Sequence, residues 1–133
     1  MANWGDIVAD IFQDFETYFA TKGVLDIPFF YDTFLDSPDF AAALFEYQGQ
    51  SAPPKVEGVS RSLQLNVRDK NSVLARNKIQ EMYNLLEAEG SIIYVTPERW
   101  GQITLRQPPF KMRIDEKGRT YYCFNFGLIT YHD

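Results

Sequence analysis

Histidine and cysteine are almost missing from this chain of 133 residues: His132 and Cys123 are the only ones. A lone cysteine cannot form an internal disulfide, and it leaves the redox compartment open. A lone histidine one residue from the end, where chains are usually poorly held, cannot build a Ser-His-Asp triad unless the tail folds into a cleft. Zinc-ligand spacing, a glycine-rich phosphate loop and a dinucleotide fingerprint are all lacking. No cofactor or metal is expected, and no catalytic residue stands out. No apolar run approaches the roughly 20 residues of a membrane span. No basic stretch followed by an apolar block opens the chain, so the expectation is a cytoplasmic product without a membrane partner. Positive charge is also short. A net charge of −5 argues against a general grip on nucleic acid, although an acidic surface suits a place where DNA must pass without sticking. Internal repeats and charge blocks are absent.

What the chain does have is rings. Apolar residues make up 45%, an ordinary share, but aromatic residues reach 16%. So large an aromatic fraction implies a core built on rings or an extra surface buried against a partner. The length points to one domain, 1–133, large enough to fold without a staple.

Trp4, Val8, Ile11, Phe12, Phe15 and Phe19 recur at helical spacing, which predicts a helix over about 4–21 with Gly23 as its stop. Residues 24–31, with Pro28, read as an extended connection. "FAAALFEY" (40–47) is ambiguous: three alanines favour helix, while its shortness and Gly49 favour strand. A loop follows over about 48–60. "SLQLNV" (62–67) alternates as a half-buried strand. A second helix follows, capped by Asp69 or Asn71, with Leu74, Ala75, Ile79, Met82, Tyr83 and Leu86 on its apolar face and Gly90 as its stop. An antiparallel meander ends the chain: a strand over 92–96, a turn at "PERWG", strands over 102–107 and 110–114, a turn at "DEKG", and a final strand over 119–131. Tyr122, Phe124, Phe126 and Leu128 share one face of that strand. Pro108 and Pro109 in "RQPPF" cannot donate ladder hydrogen bonds. They predict a strand end or edge bulge, with Phe110 packed inward. These elements make an α+β protein.

Each candidate site has a plain alternative. Asp36 and Asp39 flank a Ser-Pro and fit turn and cap chemistry better than a cation site. Cys123, inside an aromatic strand, fits a buried inert thiol. Arg68, Asp69 and Lys70 in "VRDK" form either a solvated corner with a helix cap or a contact between identical subunits. Trp100 either folds back onto the core or lies at an interface.

The order of "LQLNVRDKNSVLARNKIQEMYNLLE", "RQPPF" and "DEKGRTYYCFNF" resembles the tail terminator and minor capsid proteins of tailed bacteriophages. That resemblance implies strand for "FAAALFEYQG", and a mixed, mainly antiparallel sheet of about five to six strands with both helices on one face. It implies a structural protein, not an enzyme, that caps the tail tube and ends its polymerisation. In that role it forms the head–tail joining surface as a homo-oligomeric ring, a hexamer around the DNA channel. The implied partners are further copies of itself, the major tail tube protein and a head completion or connector protein. DNA passes through without specific binding, and the implied location is the head–tail junction of the virion. Arg68, Asp69, Lys70 and Trp100 are the candidate subunit contacts. A head completion or minor capsid protein of the neck is the nearest alternative. A small hydrolase or ligand-binding domain with an aromatic pocket is a third reading.

Overall fold

Alternation along the strands and 3.6-residue spacing along the helices point toward one shared hydrophobic layer. The computed structural model describes residues 7–47, 59–90, 92–96 and 99–132. In chain order they form α1 (Ile7–Thr21), β1 (Phe29–Tyr31), β2 (Ala41–Tyr47), β3 (Val59–Asp69), α2 (Ser72–Glu89), β4 (Ile92–Thr96), β5 (Arg99–Ile114) and β6 (Thr120–His132). The strands lie in the order β1-β2-β3-β6-β5-β4. β1 runs parallel to β2, and the other pairs are antiparallel. The expected α+β architecture, a mixed and mainly antiparallel sheet, is the one observed.

Register shows how the layer is made. Leu44 lies opposite Leu65, Leu65 opposite Phe124, Leu63 opposite Phe126, and Phe126 opposite Leu105. Residues paired across antiparallel strands share a face. Both helices pack on that face: Phe15 of α1 meets Phe126 edge-on at 5.5 Å, and Tyr83 of α2 meets Phe124 at 5.2 Å. The result is one hydrophobic cluster running from Ile11 to Leu128.

Helix α1 buries Ile11, Phe12, Phe15, Tyr18 and Phe19. It stops where Gly23 takes φ +79. The Gly23 amide donates to the Ala20 carbonyl and the Val24 amide to the Phe19 carbonyl, both at 3.1 Å. This paired closure satisfies carbonyls that the last turn would leave bare. The expected helix start near residue 4 falls outside the described residues, as do positions 48–58 of the expected loop.

All but the first residue of segment 40–47 resolves as strand, β2. Ala41, Ala42 and Ala43 are fully buried, and β2 is paired on both sides, by β1 and β3. Sheet pairing overrides the alanines' helix propensity. The last three residues of the expected extended connection form the short strand β1. β3 is longer than alternation predicted, because Arg68 and Asp69 still pair with Tyr121 and Thr120. The cap of α2 is therefore Asn71, whose Oδ1 accepts from the amides of Val73 at 3.0 Å and Leu74 at 3.3 Å. Ala75, Ile79, Met82 and Leu86 face the core. Leu74, expected with them, is 45% exposed: it lies one position off the buried stripe.

Two strands predicted around the prolines are one. β5 runs unbroken from Arg99 to Ile114, and its register slips between Leu105 and Gln107, between Gln107 and Phe110, and between Lys111 and Arg113. Pro108 and Pro109 sit in the second slip, between Gln107 opposite Asn125 and Phe110 opposite Cys123. β4 pairs only with residues 99–102, so the prolines lie on an edge, where a missing donor is tolerated. The bulge was expected. The inward packing of Phe110 was not met, since Phe110 is half-buried beside Cys123, outside the core cluster. The expected "PERWG" turn is also shorter, because Arg99, Trp100 and Gly101 already belong to β5.

Candidate functional site

The sheet face turned away from the helices is polar, and one end of it gathers most of the buried charge. Three segments meet there: the end of β3, the Asp115–Arg119 turn into β6, and the loop from Asp32 to Phe40. The loop begins at Asp32, whose φ of 58 is a left-handed value that a short polar side chain tolerates. Its Oδ1 accepts the Glu46 amide at 3.2 Å.

Arg68 lies at the centre and is 2% exposed. Its Nε donates to the Asp39 carbonyl at 3.2 Å, one terminal nitrogen reaches the carbonyls of Leu35 and Pro38, and the other donates to the Tyr121 hydroxyl at 3.2 Å. The guanidinium also covers the Phe34 ring at 4.5 Å. A buried cation is costly unless its donors are matched, and these loop carbonyls match them. Arg119 does the same one strand over. It donates to Asp115 Oδ2 at 2.8 Å and to the Asp36 carbonyl at 2.6 Å, with Asp39 at 3.6 Å. Lys117 grips the Asp36 carboxylate at 2.5 Å, and Lys70 approaches Asp39 at 3.6 Å.

Asp115 closes the turn below. Its Oδ1 accepts the amides of Lys117 at 2.9 Å and Arg119 at 3.0 Å, and its Oδ2 also accepts the Tyr121 hydroxyl at 2.9 Å. Burial alone would raise its pKa, but the hydrogen bonds from Arg119, Tyr121 and Lys117 outweigh burial and hold the carboxyl far below the usual carboxylate range. Asp36 is likewise held low, chiefly by Lys117. The side chains of Asp36 and Asp39 are thus held by cations rather than by the backbone amides that turn or cap chemistry would supply.

Beside this cluster opens a groove of about 630 Å³, with Phe34, Phe45, Arg68, Arg113 and Tyr121 among its lining. The Arg113 guanidinium lies over the Tyr121 ring at 3.9 Å. Further along the face, side-chain amides form a directional chain across three strands. Asn66 donates to Gln64 at 2.9 Å, Gln64 to Asn125 at 3.0 Å, and Asn125 to Gln107 at 2.7 Å. At the far end Arg106 reaches Ser62 at 3.0 Å. It crosses Gly127, where an added Cβ would lie 2.7 Å from the guanidinium.

Among the described residues, no three His, Cys, Asp or Glu side chains gather as metal ligands. Burial pushes the Cys123 thiol up to about 11, so it stays protonated and unreactive at neutral pH.

Sequence reasoning offered four contact residues. Arg68 and Asp69 are buried, and Arg68 directs its donors inward. Lys70 is exposed beside them. Trp100 sits on β5 opposite Tyr94 and Tyr131, with its side chain outside the described residues. The structure brings Arg68, Asp69 and Lys70 together and leaves Trp100 at the start of β5. Tyr121 was missed as a partner of Arg68, and so were Asp115 and Arg119, which join the cluster through Tyr121 and the Asp36 carbonyl. The Asp-x-x-Gly-Arg pattern was seen as a turn, and only strand pairing brings it against β3.

The geometry defines an α+β domain whose buried charges organise a loop. The family model described as "Bacteriophage tail terminator protein" matches residues 10–132, and the chain belongs to that family. No curated protein matches it. Membership makes it a structural component of phage tail assembly.

Proposed function

We propose that this protein caps the growing tail tube as a homo-oligomeric ring, a hexamer, and so ends polymerisation and presents the surface to which the head joins. The family match over residues 10–132 carries this reading. The net charge of −5 supports it, since a channel wall of like charge lets DNA slide. The held loop fits a docking role: Arg68 binds it from beneath, Asp69 is buried beside Arg68, Lys70 stands exposed next to Asp39 where a neighbouring subunit would meet it, and Trp100 lies on β5, next to the edge strand β4. The partners are the tail tube protein on one side and a head completion or connector protein on the other. Deleting the gene is expected to yield tails of uncontrolled length, restored to uniform length by the wild-type gene in trans. Tails of normal length that fail to join heads would overturn the capping role in favour of a neck protein.

A further inference from the structure

Charge along this chain is not evenly spread. Residues 1–60 carry ten carboxylates and two cationic side chains, while residues 61–133 carry eleven cations and eight carboxylates. Helix α1 crosses the sheet and lies near both β1 and β4, but the strand order sets the β1 and β5 edges well apart. β1 lies at one edge, and β5 lies four strand spacings away, roughly 19 Å. Beyond Gln102, β5 has no outer partner among the described residues.

At the two edges, the charges without an ionic partner follow the same division. On β5, Arg106 and Lys111 are exposed. Arg106 meets only the Ser62 hydroxyl, and neither meets a carboxylate among the described residues. At the β1 edge, Glu16 accepts only the Tyr31 hydroxyl, and Asp32 accepts only the Glu46 amide. Among the described residues neither carboxylate has a cation beside it, although most other described acids of this half do: Asp26 holds Lys78 at 2.9 Å, and Asp36 and Asp39 hold Lys117, Arg119 and Lys70.

We propose that the β5 edge of one copy docks against the α1–β1 edge of the next, drawn together by Arg106 and Lys111 on one side and Glu16 and Asp32 on the other. Resting on the self-association proposed above, this assigns its faces. A two-fold contact through either edge would set like charges together. The polarity instead favours a head-to-tail contact, and such contacts close into rings or run on as filaments. The prolines and register slips of β5 block ladder pairing with another chain, so side chains must hold this contact. Each exposed ion pair is weak, but repeated at every interface they fix its direction and make it sensitive to salt.

Two variants test the assignment. Arg106→Glu with Lys111→Glu makes both edges acidic. Glu16→Lys with Asp32→Asn makes both basic, and the asparagine keeps the amide acceptor and suits the left-handed backbone. Sedimentation velocity at low salt is expected to show assemblies of the wild type and at least tenfold weaker association of each variant alone. An equimolar mixture, in which the two alternate, should assemble again. Thermal melts like the wild type's confirm folding. Variants that each assemble as the wild type does, or well-folded variants whose mixture stays apart, overturn the edge assignment and leave the ring intact. A wild type that stays monomeric at every concentration and salt overturns the ring itself, and this contact with it.

Discussion

Arg68 gathers three loop carbonyls and a tyrosine hydroxyl with one planar fork. Lysine offers the charge without that geometry. Arg68→Lys and Arg68→Ala are both expected to destabilise the fold by more than about 2 kcal/mol, since buried acceptors are left unmatched. Urea denaturation measures this, and Arg68→Lys should recover less than half of the loss. Asp115 adds a pH dependence. Its folded-state pKa is depressed, so its stabilisation is present in full above the unfolded carboxyl's value, about 4, and is lost as pH falls below that. Asp115→Asn should flatten the stability profile below pH ~4 while lowering stability at neutral pH. None of this was legible in sequence, because Arg68, Asp115 and Tyr121 become neighbours only when β3 pairs with β6. What sequence did supply was the turn at Gly118, which takes φ +79 and depends on adjacent residues alone.

Elements with one clear period were easy to locate. α1 and α2 appear where the apolar spacing placed them, and Asn71, one of two candidate caps, proves to be the cap. Asn71→Ala is expected to cost about 1 kcal/mol, measured as a shift in denaturant midpoint. Segment 40–47 was harder, since its alanines favour helix and only flanking strands decide otherwise. The resemblance to tail terminators settled what propensity left open. The prolines of β5 signalled an interruption, yet pairing with β6 on the inner side carries the strand through it. Replacing both with valine would restore two edge amides. Such a protein should melt within a few degrees of the wild type but aggregate faster with concentration, as light scattering would show, because the edge has become a template.

At the scale of the whole molecule, both helices and four of the strands, β2, β3, β5 and β6, feed one cluster of rings and aliphatic chains, joined by the Phe29 ring of β1. Phe126 touches Phe15 of α1 and Phe124 of its own strand. Phe126→Ala is expected to destabilise by about 3–5 kcal/mol, in a single transition seen alike by fluorescence and circular dichroism. Aromatic content foretold such a core. Which residues stay free for a partner could not be foretold, because that depends on the strand order that sets β1 and β5 apart.

Cys123 sits on β6 between Asn66 of β3 and Phe110 of β5, fully buried, with its sulfur 3.9 Å from that of Met112 on β5. As the sole thiol of the chain, it is a clock already built into the sheet. A thiol reagent can mark it only during moments when β5 lifts from β6. The labelling rate therefore counts those openings, and any partner that clasps the β5 edge should slow the count without touching the sulfur.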